Sequence, residues 1–146
     1  MFLVDTNIWL ERLLNQERST EVAELLSEVP STYLFITDFS LHSIGVIAFK
    51  LNCIEIFRKF VQDIFIEGSV GLTTVNPSDM IDLIDAMKIF NLDFDDAYQY
   101  SVMKKYDLFL ISFDHDFDKI PEGRLIPKTA LSVYRTRIKD ALKNDG

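Results

Sequence analysis

The chain has 146 residues, of which 48% are hydrophobic and 26% charged, with a single cysteine and a formal net charge of −8. That length fits one domain able to bury about 68–70% of its unfolded surface, and the composition excludes a disordered or collagenous chain. The lone Cys53 excludes an internal disulfide and a cysteine-based zinc site, while the acidic balance opposes generic nucleic-acid binding by phosphate neutralisation.

The chain opens directly on the strand-like run Phe2-Leu3-Val4, with no signal-peptide pattern before it. The apolar stretch from Ile44 to Ile66 is broken by Lys50, Glu55, Arg58, Lys59 and Asp63, so no membrane span is expected. A soluble cytoplasmic protein is the expectation. Charge is uneven along the chain: residues 119–146 carry seven Lys/Arg against three acids, a net +4 that leaves −12 on the first 118 residues. A polyanion lying between a basic arm and an acidic pocket would use that asymmetry. A solvated terminal helix would also produce it, and charge alone favours the helix.

In chain order, residues 2–5 read as a strand and Asn7 to about Leu14 as a helix. Ser19 or Thr20 is placed to cap a second helix, with Val22, Leu25, Leu26 and Val29 on its apolar face and Pro30 ending it. Tyr33-Leu34-Phe35-Ile36 is a second strand, ending at Thr37-Asp38. Ser40 then caps a helix through Ile44, Ile47, Ala48 and Leu51, and an apolar helix follows with Ile54, Phe57, Phe60, Val61, Ile64 and Phe65. Gly68 and Gly71 punctuate the approach to a third strand, Val70 to Val75. Pro77-Ser78-Asp79 starts a helix through Met80, Leu83, Ile84 and Met87, and Asp93 to Asp96 open another through Ala97, Tyr100, Ser101 and Lys104. Leu108 to Ile111 is a fourth strand, ending near Ser112-Phe113-Asp114. A short Leu125-Ile126 strand and a basic helix from about Thr129 to Lys143 complete the pattern. Unbroken apolar strands separated by helices predict a mainly parallel sheet covered on both faces. The expected architecture is a three-layer α/β/α sandwich forming one domain over residues 1–146.

Ligands of open parallel sheets sit at the carboxyl ends of the strands. Three strands here end at an aspartate, namely Asp5, Asp38 and Asp114, and a parallel arrangement puts all three at one edge. Asp95 and Asp96 open the helix that feeds the Asp114 strand, so they start near the same edge. Residues 93–118 hold seven aspartates and two lysines. Clustered carboxylates repel one another unless a cation neutralises them, and Mg²⁺ or Mn²⁺ is the natural counter-charge, able to bridge carboxylates to phosphate oxygens. The chemistry implied is hydrolysis of a phosphodiester. Structural roles compete with this reading. Asp93 is placed to cap a helix with Asp96 in its first turn, and Asp116 and Asp118 are candidates for solvated loop residues. Asp5, Asp96 and Asp114 at one edge tip the balance toward a site, because a purely structural account leaves their repulsion uncompensated.

Phe2-Leu3-Val4-Asp5-Thr6-Asn7, the Asp96-Ala97 pair opening a helix, and Leu110-Ile111-Ser112-Phe113-Asp114-His115-Asp116-Phe117 occur in an order and spacing that spans nearly the whole chain. Together they resemble the PIN-domain family, and within it the VapC-like toxin ribonucleases of bacterial and archaeal toxin–antitoxin pairs. The resemblance implies a PIN-like fold and a Mg²⁺- or Mn²⁺-dependent endoribonuclease acting on RNA, with an antitoxin protein as partner. By position it implies Asp5, Asp96 and Asp114 as metal ligands, Asp116 as a second-tier catalytic acid, and Asn7 and Ser112 as hydrogen-bonding support for the carboxylates.

One departure stands out. The family usually carries a glutamate in the helix after the second strand, and Ser43 occupies that position here. A serine hydroxyl supplies no charge. His42 or Asp38 are the candidates to compensate, with weaker metal affinity and loss of catalysis as the other readings. The alternative function is therefore a catalytically eroded PIN-like binding or regulatory module. A phosphate-receiver reading fits less well, since the first strand supplies only Asp5 and the third ends in Asn76-Pro77. The apolar stretch 44–66, with Phe49, Phe57, Phe60 and Phe65 spread around it, offers more hydrophobic surface than one helix face needs, and predicts a homodimer.

Overall fold

Four short strands build one sheet: β1 (Phe2–Val4), β2 (Leu34–Thr37), β3 (Gly71–Thr73) and β4 (Phe109–Ile111). All pair in parallel, in the order β3-β2-β1-β4. The computed structural model describes residues 1–144; Asp145, counted above in the tail charge, lies outside them. The α-helices among the described residues are α1 (Thr6–Leu13), α2 (Ser19–Glu28), α3 (Asp38–Lys50), α4 (Ile54–Val61), α5 (Met80–Phe90), α6 (Phe94–Tyr106) and α7 (Pro127–Asn144).

The strands alternate their side chains between two cores, as the period of two requires. Phe2 and Val4 of β1, Leu34 and Ile36 of β2 and Ile111 of β4 enter the first, against Trp9 of α1, Leu25 of α2, Ile44 of α3, Phe60 of α4 and Leu131 of α7. Leu3 and Leu110 enter the second, against Leu83 of α5 and Ala97, Val102 and Met103 of α6. Helices thus cover both faces, and the expected three-layer α/β/α sandwich is the observed one.

The connections decide where the site falls. The chain winds from β1 to β2 to β3 in one direction, then returns across the second face through α5 and α6 to place β4 on the other side of β1. Winding therefore reverses between β1 and β4. A crevice opens where the connections leaving two neighbouring strands diverge to opposite faces. The residues just past the carboxyl ends of β1 and β4 are Asp5 and Ser112-Phe113-Asp114.

Several elements differ from expectation for local reasons. The cap of α3 is Thr37, whose Oγ1 accepts from Ser40 N at 3.0 Å, so the helix starts at Asp38 and Ser40 is already inside it. Helix α2 has no side-chain cap; Ser19 Oγ instead accepts from Arg12 Nη1 at 3.3 Å. The apolar helix after α3 ends at Val61 and continues as a single π-helical stretch, Gln62–Glu67. The Leu125-Ile126 strand reduces to one parallel bridge between Leu125 and Ile111, because Pro127 begins α7 at once. Gly71 is a strand residue rather than a breaker. It pairs with Phe35, whose ring lies 2.5 Å from where a β-carbon would stand.

Leu3 is fully buried on the central strand. Leu3→Ala is expected to lower the unfolding free energy by about 3 kcal/mol. The measurement is the urea midpoint, with the slope of the transition unchanged.

Candidate metal-binding active site

Asp5 follows β1 and caps α1, with its Oδ1 accepting from Thr6 N at 2.8 Å. The same oxygen accepts from Gln99 Nε2 at 2.9 Å, and Oδ2 accepts from Ser112 Oγ at 2.6 Å. Ser112 Oγ in turn receives Asn7 Nδ2 at 3.3 Å and Asp114 N at 2.9 Å, so its single proton is free for Asp5. Asn7 also accepts from Phe113 N at 3.3 Å through Oδ1. Asn7 and Ser112 thus tie the end of β1 to the loop after β4. Burial pushes the Asp5 carboxyl above its usual range, the three hydrogen bonds pull it back, and Asp114 adds a smaller upward push.

Helix α6 begins beside it. Asp93 caps the helix by accepting from Asp96 N at 3.0 Å, which sets Asp96 in the first turn facing the crevice. Asp114 follows β4 and caps a 3-10 turn, His115–Lys119, by accepting from Asp116 N at 2.8 Å. Carboxylate oxygens of Asp96, Asp114 and Asp116 lie within 4.8 Å of one another. Asp96 is 8% exposed, and its carboxyl is pushed up to about 7. Burial is the largest cause, followed by repulsion from Asp93, Asp114, Asp5 and Asp116. Asp95 is raised as well, by burial and by Asp93.

These residues open onto a cavity of about 650 Å³ lined by Asp5, Thr6, Asn7, Asp95, Asp96, Gln99 and Asp114, with Leu10, Phe39, His42, Ser43, Val46 and Ile47 forming the rest of the wall. No lysine or arginine lines it among the described residues. Lys119 reaches the cluster, its Nζ lying 2.9 Å from Asp116 Oδ1. Oxygen donors at this spacing, carrying charge that the protein leaves largely unneutralised, match a hard divalent cation.

The residues expected from sequence are distributed as follows. Asp5, Asp96, Asp114, Asn7 and Ser43 line the cavity, and Ser112 lies buried directly behind Asp5. Asp116 joins Asp96 and Asp114 in the three-carboxylate cluster, while Asp5 adjoins it with three of its acceptor positions occupied. Asp38, a candidate replacement for the helix glutamate, is instead drawn away from the cavity. Its Oδ1 accepts from Phe39 N at 2.8 Å and the Tyr98 hydroxyl at 2.7 Å, and its Oδ2 accepts from Thr74 Oγ1 at 3.0 Å. It stitches β2, β3 and α6 together. The α7 part of the basic segment is remote: the Arg137 guanidinium sits 4.7 Å from the ring of Phe109, at the start of β4, whereas the cavity lies past the strand's end. Arg135 pairs with Glu28 and Glu24 of α2. Of the cations in residues 119–146, Lys119 and Arg124 stand by the loop that carries Asp114, and the α7 arginines pair elsewhere.

Sequence reasoning missed three contributors. Gln99 is 2% exposed and stands three residues after Asp96, a spacing that puts both on one helix face and was the available signal. Ser40, assigned to a cap, is a buried hub whose Oγ accepts from Thr6 Oγ1 at 2.7 Å and Gln99 Nε2 at 2.6 Å. Arg124 donates from Nη1 to the carbonyl of Ser112 at 3.1 Å and from Nε to Asp118 at 3.0 Å, pinning the loop that carries Asp114.

A carboxyl whose pKa is higher in the folded chain than in the unfolded one stabilises the fold while it holds its proton. For Asp96 that stabilisation is present at acid pH and is lost as pH rises from the usual carboxylate range through about 7. Protein kept metal-free with chelator is therefore expected to melt at a higher temperature at pH 5 than at pH 8. Asp96→Asn should flatten most of that slope and raise the pH 8 melting temperature by a few degrees. Calorimetric scans of both proteins across this pH range provide the check.

The sequence matches the PIN domain family over residues 2–123. No curated protein matches the chain. Among solved structures, the fold is similar to a chain of a toxin–antitoxin complex from Klebsiella pneumoniae, with TM-score 0.69 and 21% identity, covering 87% of this chain and 98% of that one. It is also similar to VapC20 of Mycobacterium tuberculosis, described as a sarcin–ricin-loop-cleaving toxin, with TM-score 0.71 and 16% identity over 86% of this chain and 100% of that one. FitAcB from Neisseria gonorrhoeae gives TM-score 0.70 at 16% identity, covering 87% and 98%. At these identities the structural matches speak for the fold, and the family match over most of the chain speaks for descent: the chain belongs to the PIN-domain family.

Proposed function

We propose that this chain is a divalent-cation-dependent endoribonuclease, the toxin of a cytoplasmic toxin–antitoxin pair. The observation that carries the reading is the approach of Asp96, Asp114 and Asp116 oxygens to within 4.8 Å at the strand-order reversal, with Asp96 raised to about 7 by burial and then by the neighbouring carboxylates. Asp96, Asp114 and Asp116 would hold Mg²⁺ or Mn²⁺, with Asp5 at the wall beside them. When bound, the ion supplies Lewis-acid stabilisation of the charge that develops on a phosphodiester during hydrolysis. The chain's own residues set the conditions for that chemistry. Unneutralised, these carboxylates repel a phosphate, so entry of RNA is coupled to occupancy by a cation. Thr6, Ser112 and Gln99 hold Asp5 in one orientation, and the Asp93 and Asp114 caps fix the backbone from which Asp96 and Asp116 project. The similarity to VapC20, a sarcin–ricin-loop-cleaving toxin, supports RNA as the substrate class.

A second reading, a non-catalytic PIN-like module, is favoured by one observation: the α3 wall of the cavity presents His42 and Ser43 and no carboxylate. Two measurements separate the readings. Calorimetric titration with Mn²⁺ is expected to show binding to the wild type that is lost in Asp96→Asn and strongly weakened in Asp5→Asn, with both variants still folded. RNA cleavage by the wild type should then depend on the ion and fall by at least a hundredfold in each variant. Mn²⁺ binding without any cleavage selects the second reading, and equal cleavage by wild type and Asp5→Asn removes the first.

The antitoxin partner and the homodimer belong to the same proposal. Structures of a toxin–antitoxin complex and of FitAB on DNA support the first. For the second, Val46 (53% exposed), Phe49 (73%) and Leu51 (55%) leave an apolar surface open along the end of α3. Light scattering at tens of micromolar is expected to give twice the 16.9 kDa chain mass, reverting to one chain mass in Phe49→Glu.

A further inference from the structure

Gln99 follows Asp96 by three residues on α6, and both side chains line the same cavity. Its amide is enclosed, yet satisfied at one end only. Nε2 commits both protons, one to Asp5 Oδ1 at 2.9 Å and one to Ser40 Oγ at 2.6 Å. Chemistry dictates that the nitrogen faces Asp5. The Asp5 carboxylate already accepts the Thr6 N–H and the Ser112 proton, so a carbonyl oxygen set against it would be repelled. Oε1 is left without a partner, the one buried side-chain nitrogen or oxygen so placed among the described residues.

A buried amide oxygen without a donor is costly, and such atoms are rare in folded proteins. An amide oxygen carries no proton, so only a donor or a cation can satisfy it. A carboxylate, when ionised, is an acceptor and cannot meet it, and no lysine or arginine lines the cavity among the described residues. Amide oxygens are ordinary ligands of hard divalent cations.

We infer that Gln99 is part of the cation site: its NH₂ group locks Asp5, and its free Oε1 is a neutral oxygen ligand presented beside the carboxylates. The inference rests on the metal-dependent reading and adds to it a ligand from the middle of α6. A merely structural role, cross-linking Asp5 to Ser40, makes a different prediction, because it uses the amide nitrogen alone.

Two substitutions separate the roles. Gln99→Leu keeps the size and removes both nitrogen and oxygen. Gln99→Glu keeps an oxygen at the same reach, adds charge, and removes the donor to Asp5. In Mn²⁺ titrations by calorimetry, Gln99→Leu is expected to weaken binding by at least about tenfold, whereas Gln99→Glu binds at least as tightly as wild type. The metal-free melting temperature of Gln99→Leu is expected to fall, since it removes the donors to Asp5 and Ser40; Gln99→Glu loses the same donor to Asp5 yet keeps an oxygen, and that separates a lost ligand from a damaged fold. Equal Mn²⁺ affinity in wild type and Gln99→Leu overturns the inference. So does a Gln99→Glu variant that binds more weakly than wild type, whether or not the leucine variant folds, since that pattern leaves only the donor to Asp5. Absence of Mn²⁺ binding by the wild type is a distinct result, and it removes the cation reading together with this inference.

Discussion

Asp5 ends the central strand with its carboxylate enclosed, and an enclosed carboxylate has to be met by donors from whatever elements reach it. Thr6 comes from the helix it caps, Gln99 from α6 and Ser112 from the end of β4. Two of these partners are 94 and 107 residues away along the chain. The first strand, the last strand and the helix that carries Asp96 are therefore brought into register at one atom group. Ser40 extends the same network to α3 through Gln99, Thr6 and Thr37. The apolar cores hold α1, α3 and α6 against the sheet, and these hydrogen bonds fix how their ends meet around the cavity.

The rest of the site is an electrostatic problem left open by the fold. Caps built from Asp93 and Asp114 satisfy backbone N–H groups, which explains those two residues structurally. They do not explain Asp96 and Asp116, whose oxygens approach Asp114 without an equal number of cations beside them. The arginines of α7 are engaged by Glu24, Glu28 and the ring of Phe109 at the start of β4, away from the strand ends that carry the acids. Repulsion concentrated at one edge of a parallel sheet is what the proposed cation would relieve.

Membership of the PIN-domain family at 16–21% identity to solved relatives shows how little of that architecture depends on particular core residues. Parallel strands with helices on both faces need apolar residues of about the right volume at the right period, and many sequences meet that condition. The polar residues at the strand ends are held to a narrower standard, since each must donate, accept or carry charge at a given place. That is why Ser43, on the α3 wall, and Gln99, opposite it on α6, are informative about this chain in a way its leucines are not.

Much of this was legible along the sequence. Apolar runs marked the four strands, their periodic partners marked the helices, and aspartates after the first and last runs marked the edge of the candidate site. Asp93 could be read as a cap because caps are local. Strand order was not legible, since four parallel strands show the same period in any order, and it is the order β3-β2-β1-β4 that puts Asp5 beside Asp114. Nor could the fate of Asp38 be read, because its donors, Thr74 and Tyr98, lie 36 and 60 residues away. Gln99 looked like an ordinary helix residue and Ser40 like a cap for the same reason. What the sequence determined by itself was the set of local periods and the acids at the strand ends, which depend on neighbours within a few residues. Only the tertiary structure decided which acids share a cavity, which polar groups are buried with them, and that the basic helix stands apart, because those depend on contacts between segments far apart in the chain.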